Sequence, residues 1–213
     1  EGVCKMIRYC LTSYREDLVI LDIINDSFSI VPDAGSLLKE RDKLLKEFPQ
    51  LSYFFDSEYH IGSVSRNSDT SFLEERWFLP EPDKTLYKCS LFKRFILLLK
   101  VFYYSWNIEK KGMAWIFISN KKENRLYSLN EEHLIRKEIS NLSIIFHLNI
   151  FKSDCLTYSY ALKRILNSRN IDAHLVIGVR TQPFYSHSWV EVGGQVINDA
   201  PNMRDKLSVI AEI

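Results

Sequence analysis

From Ser153 onward the residue pattern leaves few choices of structure. Ser153 and Asp154 precede a run in which Tyr158, Ala161, Leu162, Ile165 and Leu166 recur at the spacing of one helical face. A serine or aspartate there can accept hydrogen bonds from the unpaired N–H groups of a first turn, so a helix is expected to open near Cys155. Asn167 to Asn170 ends it. Ala173 to Arg180 and His187 to Val192 read as strands, separated by the loop Thr181 to Ser186. Gly193-Gly194 marks a turn and Gln195 to Asp199 a returning strand, stopped by Pro201. With strands and helices also expected upstream, the fold class is α+β.

Upstream, Asp17 to Ile24 is a β-branched apolar run, Asn25-Asp26 a turn signal, Ser27 to Val31 a second strand and Ile7 to Thr12 a third. Ser36 is placed to cap a helix carrying Leu37, Leu38, Leu44, Leu45 and Phe48, with Pro49 as its stop. Leu51 to Phe55 begins another short helix. Gly62 to Ser71 is small and polar, the best linker in the chain, and sets a boundary near residue 75. Two domains are expected, 6–75 and 76–213. Leu91 to Trp106 contains Lys93, Arg94 and Lys100 and is shorter than the ~20 residues of a membrane span, so it reads as a core helix over 88–106. Ala114 to Ser119 is apolar and of either type. Asn130-Glu131-Glu132 opens a helix to about residue 148.

Charge narrows the function. Lys+Arg is 28 against Asp+Glu 27, which gives no overall electrostatic reason to bind nucleic acid or an anionic membrane. The cysteines Cys4, Cys10, Cys89 and Cys155 have no CxxC spacing, and no H-x-x-x-H occurs, so no metal site is expected. The seven glycines form neither G-x-x-x-x-G-K nor G-x-G-x-x-G, so no nucleotide motif is present. The N-terminus lacks a basic-then-apolar run, and with free thiols this points to a reducing cytoplasm.

Three residues form a chemical constellation. Cys155 falls in a first helical turn, where unpaired N–H groups and the helix dipole favour a thiolate. His187 opens a strand and can hold the thiol proton; Asp199 closes the next strand and can orient the imidazole. Each also has an ordinary reading: a core cysteine, a surface histidine, a turn aspartate. Strand alternation sets a condition on the site. A two-residue Gly193-Gly194 hairpin would oppose His187 to Ala200 and put His187 and Asp199 on opposite faces. A three-residue turn over Val192, Gly193 and Gly194, with Gly194 left-handed in a bulge, would bring them together, and is the expected geometry.

Asp154-Cys155-Leu156, Ala173 to Val179, His187-Ser188-Trp189-Val190-Glu191-Val192 and Val196-Ile197-Asn198-Asp199 resemble the transglutaminase-like cysteine peptidases of lasso peptide biosynthesis, over essentially the whole chain from Met6. That resemblance implies removal of a leader from a ribosomal precursor peptide, with Cys155, His187 and Asp199 as catalytic residues. It implies an ATP-using, asparagine-synthetase-like cyclase as partner, and associates the peptidase class itself with ATP. It also implies a winged-helix-like N-terminal recognition domain of three strands and three helices, ahead of a transglutaminase-like or papain-like domain. Ser27, Phe28, Ser29 and Ile30 are expected to bind the leader as an added strand. Acyl transfer on the same triad, and a non-enzymatic precursor scaffold, stay open as alternatives.

Overall fold

The computed structural model describes residues 7–65, 77–82, 90–119, 132–148 and 154–213. The boundary near residue 75, the cap residue Ser153, the start of the 130–148 helix and the thiols Cys4 and Cys89 lie outside the described residues.

The N-terminal sheet has the order β3-β2-β1-β4, with β1 (Tyr9–Tyr14), β2 (Asp17–Asp22), β3 (Ser27–Val31) and β4 (Tyr59–Ile61). A two-residue connection at Arg15-Glu16, with Arg15 left-handed at φ 53°, closes the β1–β2 hairpin. The Asp22 carboxylate accepts from the Ile24 and Asn25 N–H groups and shapes the turn into β3. Strand β4 runs parallel to β1, a fourth strand beyond the three expected. β1 is buried along its whole length and β2 nearly so, because both faces of this sheet are covered. Tyr9, Leu11, Leu18 and Ile20 pack under Leu37, Leu44, Leu51 and Phe55, while Cys10, Val19, Leu21 and Ile23 face the other way.

The helix expected from Ser36 is broken in two. A single 3₁₀ turn at Gly35–Leu37 precedes α1 (Arg41–Glu47), and neither start carries a side-chain cap. The Gly35 N–H donates to the Glu16 carbonyl at 2.7 Å, and a Cβ at Gly35 would sit 2.5 Å from the Asp17 carbonyl oxygen. This tether to the β1–β2 turn fixes the first turn, and Glu40, at φ −112° and ψ 68°, breaks the path into α1. The short helix α2 (Ser52–Phe55) follows another 3₁₀ turn.

The remaining elements are α3 (Leu91–Ser119), α4 (Glu132–His147), α5 (Cys155–Asn167), β5 (Ala173–Arg180), β6 (Tyr185–Val192), β7 (Gln195–Val196), α6 (Met203–Lys206) and β8 (Ser208–Glu212). The second sheet has the order β7-β6-β5-β8, all neighbours antiparallel. Ala114–Ser119 is the end of α3, past a break at Gly112, whose φ of 58° and ψ of −154° suit glycine alone. The expected stripe of α5 is buried throughout and packs on α3, α4 and the β5–β6 face at Ala173, Val190 and Val192. On the other side of the sheet Trp189 and Val176 pack against Met203, Leu207 and Val209.

The two sheets share one core. Cys10, Val19, Leu21 and Ile23 pack together with Tyr160, Leu175, Ile177, Val179 and Ile210. Ser63 and Val209 also pair through both backbone hydrogen bonds, at 2.9 and 2.8 Å. The expectation of α3 as a core helix needs correction. Its inner line is buried at Val101, Asn107, Met113 and Ile116, but Phe92, Phe95, Leu99, Phe102 and Trp106 face outward, each more than half exposed.

Candidate active site

Asp154 has extended backbone, and its carboxylate accepts from the Thr157 N–H at 2.7 Å, so Cys155 is the first residue of α5. Its thiol meets the positive end of the helix dipole. His187, in β6, is 2% exposed, and its Nε2 is 2.7 Å from Asp199 Oδ2. The second Asp199 oxygen accepts from the Ala200 N–H at 2.7 Å, which holds the carboxylate in that direction. Tyr185 and Trp189 stack on either side of the imidazole, at centroid distances of 5.9 and 6.2 Å. With Nε2 committed to Asp199, Nδ1 is the nitrogen left for Cys155. The structure thus brings all three sequence-derived residues together.

It does so by a route the strand arithmetic did not foresee. Val192 opposes Gln195 and Glu191 opposes Val196, so the hairpin is the two-residue kind, with Gly193 and Gly194 both left-handed. The expected three-residue bulged turn is absent. Beyond Val196 the ladder is half made of side chain. The Ile197 N–H donates to the Val190 carbonyl at 3.0 Å, but the Val190 N–H donates to Asn198 Oδ1 at 2.7 Å. Asn198 Nδ2 in turn donates to Ser159 Oγ at 3.2 Å, and Ser159 Oγ donates to the Ser188 carbonyl at 3.0 Å. The Asn198 side chain replaces a backbone partner, the chain leaves the strand, and alternation no longer governs where Asp199 points.

Ser188 is a second residue that sequence reading missed. The Val190 backbone groups turn away from β5, and by the alternation of an antiparallel ladder so do those of Ser188. The Ser188 N–H therefore faces the thiol. Its hydroxyl is buried, and both it and His187 act on the thiol. Burial pushes the Cys155 thiol up, but the hydrogen bond and charge of His187, with the Ser188 hydroxyl and backbone, bring it below its ordinary value. For His187 burial acts downward, and the Asp199 hydrogen bond followed by the thiol outweighs it, raising the imidazole to about 9. Each member of the pair thus favours the charged form of the other. Cys10 is the contrast: burial with no partner pushes its thiol up to about 12.

The outer end of β6 is held by charge. Glu191 is 2% exposed, accepts from Trp189 Nε1 at 2.8 Å, and is engaged by Arg204 through two nitrogens at 2.8 to 3.0 Å.

The four expected leader-binding residues lie on β3, an edge strand paired only to β2 among the described residues. The Ile23 N–H donates to the Arg8 carbonyl, so alternation directs the backbone of Asp22, Ile20 and Leu18 toward β3. Their partners Ser27 and Ser29 are consumed by that ladder, while Phe28 and Ile30 turn N–H and C=O to the open edge. The Phe28 ring lies 5.2 Å from that of Phe184, in the loop just ahead of β6.

Among the described residues no group of three or more His, Cys, Asp or Glu side chains could hold a metal ion, and no helix is long and apolar enough to cross a membrane. A thiol at a helix start, an imidazole on the adjoining sheet and a carboxylate behind it are compatible with a cysteine hydrolase or acyl transferase. Residues 101–212, half of the chain, match the transglutaminase-like superfamily, which includes cysteine peptidases, and the chain belongs to it. No solved structure matches the chain significantly.

Proposed function

We propose that this protein is a cysteine endopeptidase that removes the leader from a ribosomal precursor peptide during lasso peptide maturation. The observation that carries the chemistry is the 2.7 Å contact of Asp199 with His187, beside a thiol at the start of α5. The Cys155 thiolate attacks the scissile carbonyl, and the Cys155 and Ser188 N–H groups stabilise the oxyanion. The C–N bond breaks as imidazolium His187 gives its proton to the leaving amine. Neutral His187 then takes a proton from water, whose oxygen attacks the thioester, and the thiolate is released with the new carboxyl end. Asp199 keeps Nε2 protonated and holds the charge of the ring throughout.

Residues 6–75 form the winged-helix-like recognition unit, and 76–213 the peptidase. The leader adds as a strand beside β3, where Phe28 and Ile30 offer backbone groups and Ser27 and Ser29 hold the strand in place. The product passes to an asparagine-synthetase-like cyclase, which consumes ATP to close the macrolactam. The thiol chemistry written above needs no cofactor, and the ATP dependence associated with the class belongs in this scheme to the assembly with that cyclase.

The test is incubation with precursor peptide and mass spectrometry of the termini. Hydrolysis adds the mass of water at the cut, whereas transfer adds that of an amine. Cys155→Ala is expected to abolish the cut while precursor binding persists. Continued cleavage by Cys155→Ala ends the peptidase reading. A Cys155 that fails to react stoichiometrically with an electrophile at neutral pH favours the scaffold instead.

A further inference from the structure

The outward face of α3 is an apolar surface that the site leaves unused. Phe92, Phe95, Leu99, Phe102 and Trp106 follow one another at alternating spacings of three and four residues, and all are 51% to 72% exposed. They form a straight stripe ~21 Å long, at 1.5 Å of rise per residue. Side chains of roughly 150–250 Å² each, about half exposed, leave on the order of 500 Å² of apolar surface, a size at which patches on single chains are commonly functional.

Charge on the rest of the helix selects what covers it. No Asp or Glu occurs from Leu91 to Ile108, while Lys93, Arg94 and Lys100 do. Ile96, next to the stripe, also lines a cavity of about 450 Å³ between α3, α4 and α5. Among the described residues Lys93, Lys100, Lys137 and Arg169 line the same cavity against one carboxylate, Glu138, which Arg169 already engages at 3.2 Å. At the far end Glu109 and Lys110 both follow Trp106, and Lys110 stands 5.3 Å from its ring. An aromatic stripe on one face, with cations on the helix's other flank, is the pattern of a helix that lies in the interface of an anionic bilayer. A second copy of the chain fits poorly. The patch is smaller than the ~800 Å² per partner of a stable dimer.

We propose that α3 seats the protein on anionic membrane surfaces, with the stripe entering the acyl boundary and the Lys93–Lys100–Lys137 cavity receiving a lipid phosphate. The near-neutral total charge conceals this, because it averages over the chain while Lys93, Lys100 and Lys137 meet at one cavity.

The experiment is co-sedimentation of the full chain with vesicles of phosphatidylcholine alone, or of equal parts phosphatidylcholine and phosphatidylglycerol. Binding is expected to the mixed vesicles only, with a blue shift of tryptophan emission, and to weaken as salt rises. Lys100→Gln with Lys137→Gln is expected to lower the partition coefficient roughly thirtyfold, at about a factor of five per lysine. Phe95→Ser with Phe102→Ser is expected to abolish binding while the alkylation rate of Cys155 stays unchanged, which reports an intact fold. If that pair fails to fold, the lysine pair decides alone. No binding to mixed vesicles, equal binding to neutral ones, or indifference to the lysine pair overturns the proposal. So does a vesicle-free dimer, by light scattering, that Phe102→Ser dissolves; it would assign the face to a second copy.

Discussion

Replacing Asp199 with alanine is the sharpest probe of the site, because it removes one hydrogen bond and one charge from a buried ring. His187 stands at about 9 rather than 6.5. That gap corresponds to on the order of 3 kcal/mol in favour of the imidazolium. Among the groups that raise it, the Asp199 hydrogen bond comes first and the Cys155 thiol second. Burial, which acts downward, is unaffected by the substitution. The Asp199→Ala imidazole is therefore expected to titrate far below 9, toward 6.5. The sign for stability follows. A raised folded value stabilises the protein fully below the unfolded value near 6.5, and that contribution is lost as pH rises through about 9. The lowered Cys155 thiol contributes with the opposite sign over the same range, so the wild type should lose less than the His187 gap alone would give, and the variant less still. Ring-proton NMR of His187 against pH measures the first quantity, and denaturant unfolding at several pH values the second. Alkylation of Cys155 at neutral pH should slow in the variant, since an imidazolium no longer favours the thiolate. A variant imidazole still titrating near 9 would refute the assignment of Asp199 as its partner.

Ser188→Ala removes a hydroxyl but keeps the N–H that faces the thiol. Peptide cleavage should fall about tenfold, with little change in KM; an unchanged kcat would place Ser188 outside the chemistry. Asn198→Ala strips the buried Val190 N–H of its acceptor, so a loss of about 1–3 kcal/mol in thermal or denaturant melts is expected, together with slower alkylation of Cys155. Asn198→Asp, which keeps the acceptor, should recover part of both. Ile30→Pro blocks the outward N–H on β3 without touching the ladder to β2, and should weaken precursor binding while Cys155 reactivity stays constant; unaltered binding in a titration would show that the leader does not pair there.

The parts of this fold that were legible in the sequence are those decided locally. Asp154 is a cap whose acceptor lies three residues from the N–H it satisfies, and the α5 stripe from Tyr158 to Leu166 repeats at a helical period, so both could be read directly. The register after Gly194 could not. Alternation assumes that every rung is backbone, and the Asn198 side chain substitutes for one of them 8 residues from the N–H it receives. An asparagine beside the candidate aspartate was visible, but nothing in a period of two distinguishes a side chain that completes a ladder from one in solvent. The Ser36 helix failed for a similar reason: the hold of Glu16 on Gly35 is a contact across the chain. In α3 hydrophobicity was read as burial. The residues at Val101 and Ile116 obey that rule, whereas Phe102 and Trp106 do not, because which side of a helix is covered depends on what else packs there.

The core shared by the two sheets has a consequence for how such a protein can be altered. Cys10, Val19, Leu21 and Ile23 complete the layer over Leu175, Ile177 and Val179, so each half supplies an inner wall of the other. The first sheet cannot be exchanged as an interchangeable cassette, since the incoming unit must reproduce that wall side chain for side chain. Change is cheap where this wall is not involved, on the outer edge of β3 at the exposed Ile30, whereas Phe28 packs against the wall itself. Single substitutions at Ile30 should be tolerated, and wholesale exchange of the first sheet should be met by insolubility, with the His187 hairpin deprived of its backing.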